Sequence, residues 1–299
     1  MRDVNCYICE SGDASLVVEQ KFVDKYLSLI DPTYNGGARS LVVCDRCGLV
    51  YRQPQIDEAD ATSLYEHFRD SSVLTETPDE YFDRISSLPV DQSENHAKLA
   101  WLHSHISDLL SAPGKRVLDI GCGGGVFLHK FLKRYPGWDG FGVEPTPTFA
   151  DLARRRAHLT VSEQMYEPGL FADPFDLICV LQVFEHVLDP IAFLEGVASN
   201  LADGGFAFIE FPHISDLPHL PADHDRFHAH HVYVHSRSTF EYICAKAGLT
   251  IDHWAVDVTV RNKRNFSALV RHGASESPQF PLNDVAEVLS MSAWWRDEA

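Results

Sequence analysis

Residues 114–134 read GKRVLDIGCGGGVFLHKFLKR. Val117 to Ile120 form a short, largely apolar run, the next five positions hold glycine at 121, 123, 124 and 125, and a helical pattern begins at Val126. A strand, a Gly-rich turn and a helix in that order open a parallel α/β unit. The pattern then repeats outward. WDGFGVEPTPTFADLARRR (138–156) gives a strand ending in Glu144 and another helix, and FDLICVLQVFEHVLDPIAFLEGVASNLADGG (175–205) gives strand, helix and a Gly-Gly stop. FAFIEFP (206–212) is a further strand, and RSTFEYICAKAG (237–248) a further helix. LTIDHWAVDV and NFSALVRHG are two strands joined by the basic turn RNKR. The alternation predicts a doubly wound, mostly parallel sheet with helices on both faces, closed by an antiparallel hairpin at its edge.

In such a sheet a ligand binds beyond the carboxyl ends of the strands, so the first Gly-rich turn is the place to look. Asp119 lies just before the first glycine, where a carboxylate repels a pyrophosphate and receives a cation. Glu144 ends the next strand, 25 residues on, where an acid binds the two hydroxyls of a ribose. The two acids together suit adenosine attached to a zwitterion better than a dinucleotide. An NAD(P)-dependent oxidoreductase is the competing enzyme class; it fits less well because Asp119 sits where a pyrophosphate would approach.

Upstream, Cys6/Cys9 and Cys44/Cys47 form two C-x-x-C pairs separated by 34 residues. Two such knuckles bring four thiolates to one tetrahedral zinc site, and so small a segment needs a staple to fold. Four thiolates leave no open coordination position, which makes the expected zinc structural. Cys122, Cys179 and Cys244 sit singly in apolar or Gly-rich segments and read as small core residues. Residues 52–112 read as helices and connections. Leu99, Leu102, Ile106, Leu109 and Leu110 mark one buried helical face, and the polar stretch before them, with Tyr65, Tyr81 and Phe82, is a candidate lid.

The 299 residues carry 25 Lys+Arg against 43 Asp+Glu, a formal charge of −18, with 45% apolar residues and 16 His. The apolar share supports a packed core and excludes disorder as the main state. The acidity argues against a general nucleic-acid binder, since counterion release needs a stripe of Lys and Arg. A small partner is expected instead. The only dense basic clusters, Arg154–Arg156 and Arg261–Arg264, are candidates to meet the diphosphate of an activated sugar. The start lacks a basic segment followed by an apolar one, and no run of 18 apolar residues occurs, so a cytoplasmic protein without membrane insertion is expected.

VLDIGCGGG with Glu144 closing the next strand, FDLICVLQVFEHVLDP, and LADGGFAFIEFP resemble the motifs of class I S-adenosylmethionine-dependent methyltransferases, over about residues 95–273. The resemblance implies a Rossmann-like, seven-stranded sheet whose last strand is antiparallel. It implies S-adenosylmethionine as cofactor, with Asp119, Gly121, Cys122, Gly123 and Gly125 around the methionine part, Glu144 on the ribose, Gln182 alongside and Met165 flanking the adenine. The expected division is a zinc-binding module over 1–51, a helical linker and substrate lid over 52–95, a cofactor-binding domain over 96–273 and a tail over 274–299.

Joined to the Cys₄ module, this domain is similar to methyltransferases of deoxysugar and surface-glycan biosynthesis. Members that methylate carbon continue into a long C-terminal domain that is not found after residue 273 here, so O-methylation of a sugar, nucleotide-linked or in a glycan, is the expected activity. Carbon or nitrogen methylation of a deoxysugar or other metabolite is the alternative. A non-catalytic binding module, a zinc ribbon on a degenerate methyltransferase domain, is the reading from another class; the intact Asp119, Gly121, Gly123 and Glu144 count against it.

Seven His fall within residues 213–235. Metal binding, a general base, a pH-responsive surface and compositional bias all compete for that cluster. In sugar C-methyltransferases a Glu-His pair serves as proton acceptor ahead of a helix start; the resemblance aligns His231 with that His and His230 with that Glu. In ubiquinone-pathway and small-RNA methyltransferases an E-x-x-E-H segment and a later His bind a divalent cation. The matching residues are Gln182, Glu185, His186 and His231. Gln182 in place of Glu weakens a site for hard cations, and a His-rich shell favours Zn, Mn or Co. Both comparisons select His186 and His231, with His231 the expected base and Glu185 and His230 beside them.

Overall fold

The computed structural model describes residues 1–20, 24, 26–30, 39–68, 76–221 and 224–291. The first part of the candidate lid, 69–75, and the end of the tail lie outside the described residues. In chain order the elements are β1 (Ala14–Gln20), α1 (Leu27–Ile30), β2 (Arg39–Cys44), β3 (Val50–Gln53), α2 (Glu58–His67), α3 (Pro78–Ser86), α4 (Glu94–Ser111), β4 (Lys115–Ile120), α5 (Val126–Arg134), β5 (Trp138–Val143), α6 (Pro147–Ala157), β6 (Thr160–Ser162), β7 (Phe175–Leu181), α7 (Pro190–Asn200), β8 (Leu201–Pro212), β9 (Tyr233–Val234), α8 (Arg237–Lys246), β10 (Leu249–Val258), β11 (Arg264–His272) and α9 (Val285–Ser290).

The larger sheet has seven strands in the order β10-β11-β8-β7-β4-β5-β6. Its five strands from β8 to β6 pair in parallel, and β11 is antiparallel to both neighbours. The sheet is buried on both faces, as parallel sheets are. Val117, Leu177, Cys179 and Phe208 face the layer of α3, α4, α5 and α6. Leu118, Ile178, Val180 and Ile209 face α7 and α8. The two-residue period therefore assigns each strand residue to one of two cores. From the central β4 the chain steps to β5 and β6 on one side and then returns to β7 on the other. The reversal point sits at the carboxyl end of β4, where the Gly-rich turn begins.

The N-terminal segment builds a second sheet, β1-β2-β3-β9, antiparallel throughout. Its fourth strand comes from the distant stretch immediately after His231, with Val50 opposite Val234 and Tyr51 opposite Tyr233. One face packs the cysteines, Leu49 and Tyr51 against Ala229 and Val232; the other packs Val17, Leu41 and Val43 against Leu217, Phe227 and, from the tail, Val288. Part of the polar candidate lid is the regular helix α3. Thr77 accepts from the Glu80 amide, and Glu80 reaches back to the Thr77 amide at 2.8 Å. Thr-Pro-Asp-Glu is the sequence signature of such a capping box and marks the helix start that a reading of polarity alone passes over. Phe82 of this helix is core rather than lid.

Candidate functional site

The turn after β4 is shaped by glycines in the left-handed region. Gly121 has φ 75°, and a Cβ there would stand 2.5 Å from Val183 Cγ2, so neither the backbone nor the space admits another residue. The amides of Gly121 and Cys122 both donate to the Val143 carbonyl, at 2.8 and 3.0 Å, which ties the turn to the end of β5. Gly125, at φ 75°, starts α5 and packs against Ala153 and Ala157, so it sets helix position.

Glu144 is buried one residue beyond β5. Its Oε2 accepts from the Gly123 amide at 2.8 Å and its Oε1 from the Thr146 amide at 2.9 Å. Each oxygen retains acceptor capacity for a hydroxyl. Asp119 is also buried, and its Oδ1 has no hydrogen-bond partner among the described residues. Burial, with the nearby Glu144 adding to it, pushes the Asp119 carboxyl up to about 8. An acid so placed is a vacancy for a cationic group: ionisation becomes favourable when a positive ligand arrives.

A cavity of about 380 Å³ opens in front of this turn. Asp119, Gly121, Cys122, Gly123 and Gln182 line it, and so do Glu185, His186, His230 and His231. Gln182 has φ 57°; its amide and its Nε2 donate to the Glu210 carbonyl and Oε1, at 2.8 and 2.9 Å. Met165 is exposed in the loop between β6 and β7 and is not among the lining residues.

The three histidines converge from two loops. His186 closes a 3₁₀ turn after β7, and His230 and His231 precede β9. One ring nitrogen of each lies within 4.8 Å of the others. His186 Nδ1 is 2.9 Å from the His230 carbonyl, which only accepts, so Nδ1 carries a proton and donates. Burial holds both His230 and His231 well below the usual histidine range, hence neutral. The His231 ring touches His186 and His230 and makes no hydrogen bond among the described residues. Glu185 is buried, its Oε2 has no partner among the described residues, and burial pushes it up to about 8.

The N-terminal module supports this group. Tyr26 and Phe68 stack on each other at 4.7 Å and meet the His230 ring edge-on at 4.5 and 5.2 Å; Tyr65 lies 5.8 Å from His186. Buried Asp24 accepts from the Ala229 amide at 2.7 Å and pairs with His228 Nδ1 at 3.0 Å. Buried Arg52 donates to the His228 carbonyl at 3.3 Å. Tyr81 also lines the cavity. Lys98, Arg226 and the Tyr26–Phe68 pair line the cavity without a signal in the sequence, whereas Lys263 belongs to the basic turn RNKR that the sequence marked. Of the two basic clusters, that turn reaches the cavity, whereas Arg154, Arg155 and Arg156 pair with Glu163, Asp151, Asp79 and Asp83 outside it.

The four N-terminal cysteines converge as well, their sulfurs within 4.8 Å of one another. The Cys6–Cys47 and Cys9–Cys44 sulfurs are each 3.4 Å apart, well beyond a disulfide bond and near the edge length of a tetrahedral thiolate site. Burial pushes Cys44 up to about 11, so several thiolates coexist there only with a cation among them. The donor set fits zinc.

Residues 92–253 match the family described as "Methyltransferase domain". A ubiquinone biosynthesis O-methyltransferase from Stutzerimonas stutzeri (strain A1501) is 29% identical over 137 residues, covering 43% of this chain and 56% of that protein. One from Acinetobacter baylyi is 27% identical over 139 residues, covering 43% and 55%. The chain thus spans about half the length of the curated relatives it matches. Among solved structures, magnesium protoporphyrin IX methyltransferase from Synechocystis PCC 6803, with bound SAH, shares the fold at a TM-score of 0.51 and 17% identity, covering 70% of this chain and 99% of that one. With the matched segment taking in more than half of the chain and the whole run from β4 to α8, this protein belongs to the methyltransferase-domain family.

Proposed function

We propose that the protein is an S-adenosylmethionine-dependent methyltransferase that methylates a hydroxyl, with His231 as general base. The observation that carries this reading is the convergence in one cavity of a buried carboxyl, Asp119, whose Oδ1 has no partner among the described residues, with a neutral imidazole, His231, whose ring makes no hydrogen bond among them. S-adenosylmethionine, when bound, supplies a methyl group on a sulfonium centre. Asp119 receives its ammonium, Glu144 holds the ribose hydroxyls through its remaining acceptor sites, and Gly121 and Gly123 admit close approach. His231 accepts the acceptor's hydroxyl proton, and His186, fixed by its bond to the His230 carbonyl, orients it. O-methylation is supported by the relatives, named as O-methyltransferases. A sugar acceptor is supported by the resemblance of the Cys₄ module alone. Zinc on Cys6, Cys9, Cys44 and Cys47 holds that module together.

A second reading is favoured by the approach of three imidazoles within 4.8 Å: His186, His230 and His231, with Glu185 beside them, hold a second divalent cation. Labelled-methyl transfer across a panel of sugars, nucleotide sugars and phenols tests both readings. The expected result is transfer to a hydroxyl, reduced by about 10²-fold or more in His231→Ala with S-adenosylhomocysteine affinity unchanged. Near wild-type turnover of both His231→Ala and His186→Ala would overturn the base. Full activity after chelation that leaves the Cys₄ zinc in place would dispose of the second cation.

A further inference from the structure

The cavity also carries cations. Arg226, Arg261 and Lys263 line it, as does Lys98, which lies near Asp119 and pairs with Glu210 at 3.1 Å. Among the described residues the carboxyls in the lining are Asp119 and Glu185, both pushed up to about 8 by burial.

Topology separates Arg261 and Lys263 from the Gly-rich turn. β11 lies three strands from β4, about 14 Å across the sheet. Because β11 runs antiparallel, its first residues emerge at the same carboxyl edge as Asp119. The β10–β11 hairpin closes there in a tight turn. The Asn262 amide donates to the Thr259 carbonyl and the Thr259 amide to the Lys263 carbonyl, both at 2.8 Å, with Asn262 at φ 57°. That turn turns Arg261 and Lys263 into the cavity. The guanidiniums are braced: Glu94 takes Arg261 in a two-pronged pair at 2.7 and 2.8 Å, and buried Asp216 with Asn265 takes Arg226. Lys263 Nζ meets His224 Nε2 beside them. With the Arg forks engaged by Glu94 and Asp216, the two guanidinium charges are held in place and offset in part, and Lys263 stands beside them. Several point charges suit a multiply charged tetrahedral anion better than a planar carboxylate, which asks for one open fork.

We infer that Lys263, Arg261 and Arg226 form an anion subsite that holds a phosphoryl group of the methyl acceptor, on the far side of His231 from the donor. This rests on the proposed reading of the Asp119 end as the donor site. It narrows the acceptor to phosphorylated compounds and sets the reach between phosphoryl group and acceptor hydroxyl by the width of the cavity.

Calorimetry on the full chain tests it, with inorganic pyrophosphate as probe, citrate as the carboxylate comparison and S-adenosylhomocysteine titrated separately. Pyrophosphate is expected to bind saturably. Lys263→Ala with Arg261→Ala should weaken it about tenfold or more, Lys263→Arg should keep it within about threefold, and S-adenosylhomocysteine affinity should stay the same in all variants. Absent or unsaturable pyrophosphate binding, or binding indifferent to the double variant, would overturn the subsite. Citrate binding as tightly, with the same loss in the variant, would overturn the phosphoryl assignment. Failure of S-adenosylhomocysteine to bind would instead sink the donor-site reading, and the pyrophosphate result would still be scored on its own.

Discussion

The two ends of the cavity are built in opposite ways. At the donor end, Asp119, Gly121, Gly123 and Glu144 fall within 26 consecutive residues and are tied to one another through the Val143 carbonyl and the Gly123 amide. At the histidine end, His186, His230 and His231 come from two loops and are supported by residues some 200 positions away, Asp24 on the Ala229 amide and Arg52 on the His228 carbonyl. The donor end is a property of one βαβ unit. The histidine loop leads into β9, the fourth strand of the Cys₄ sheet, so its placement is tied to that sheet. On the proposed function, the contrast makes cofactor capture and acceptor chemistry separable in this molecule.

The strongest way to break the comparison is to remove the staple. Cys44→Ser with Cys47→Ser, or metal withdrawal, is expected to release β9 and lower amide protection over 228–234 by about 100-fold, the scale of local opening when a small metal module unfolds. S-adenosylhomocysteine affinity should change by less than about threefold. Hydrogen exchange and calorimetry on the same samples check this; equal loss at both ends would show that they are one unit.

Glu144→Ala attacks the other end. It strips the Gly123 and Thr146 amides of their acceptor, and loss of charged acceptors of this kind costs about 2 kcal/mol. S-adenosylhomocysteine affinity is expected to fall about 30-fold while zinc content and protection over 228–234 stay as in the parent.

The smallest effect sharpens the donor end. Asp119 has a folded-state pKa raised from 3.8 to about 8. Between those values the folded protein holds a proton that the unfolded chain has lost, so the empty protein loses stability as pH rises through this window and is flat above it. Asp119→Asn removes that dependence. It should raise the Tm of the ligand-free protein at pH 8 by about 3 °C, as ~1 kcal/mol does at this size, and weaken S-adenosylhomocysteine. Thermal melts from pH 5 to 9 give the slope directly; identical slopes in the two proteins would remove Asp119 as its source.

The same contrast explains what was legible in the sequence. The alternation of strands and helices and the Gly-rich turn with its two acids were readable because strand, turn and acid are local signals with a short spacing, while the count of seven strands came from the family resemblance. His186 and His231 could be named from resemblance, but their meeting within 4.8 Å is a matter of tertiary closure. Lys98, Arg226 and the Tyr26–Phe68 wall carry no local pattern: a lysine on an amphipathic helix looks like any surface lysine until Glu210 is seen 3.1 Å from it. Helix α3 was missed for a different reason. Its capping box was present, but the polar composition was read as loop. Gly125 read as a cofactor residue because it belongs to the motif, and its backbone conformation and contact with Ala157 give it a packing role that spacing cannot reveal.

The two-residue strand β9 has a consequence for inheritance and for engineering. Because Tyr233 and Val234 complete a sheet whose other strands lie nearly 200 residues earlier, the N-terminal module and the histidine loop must change together. A chimera that exchanges residues 1–53 with a relative while keeping the native 213–235 would mismatch a strand edge beside the imidazoles. A transplant of acceptor preference therefore has to carry both segments as one cassette, leaving the stretch from β4 to α7 behind as a common chassis.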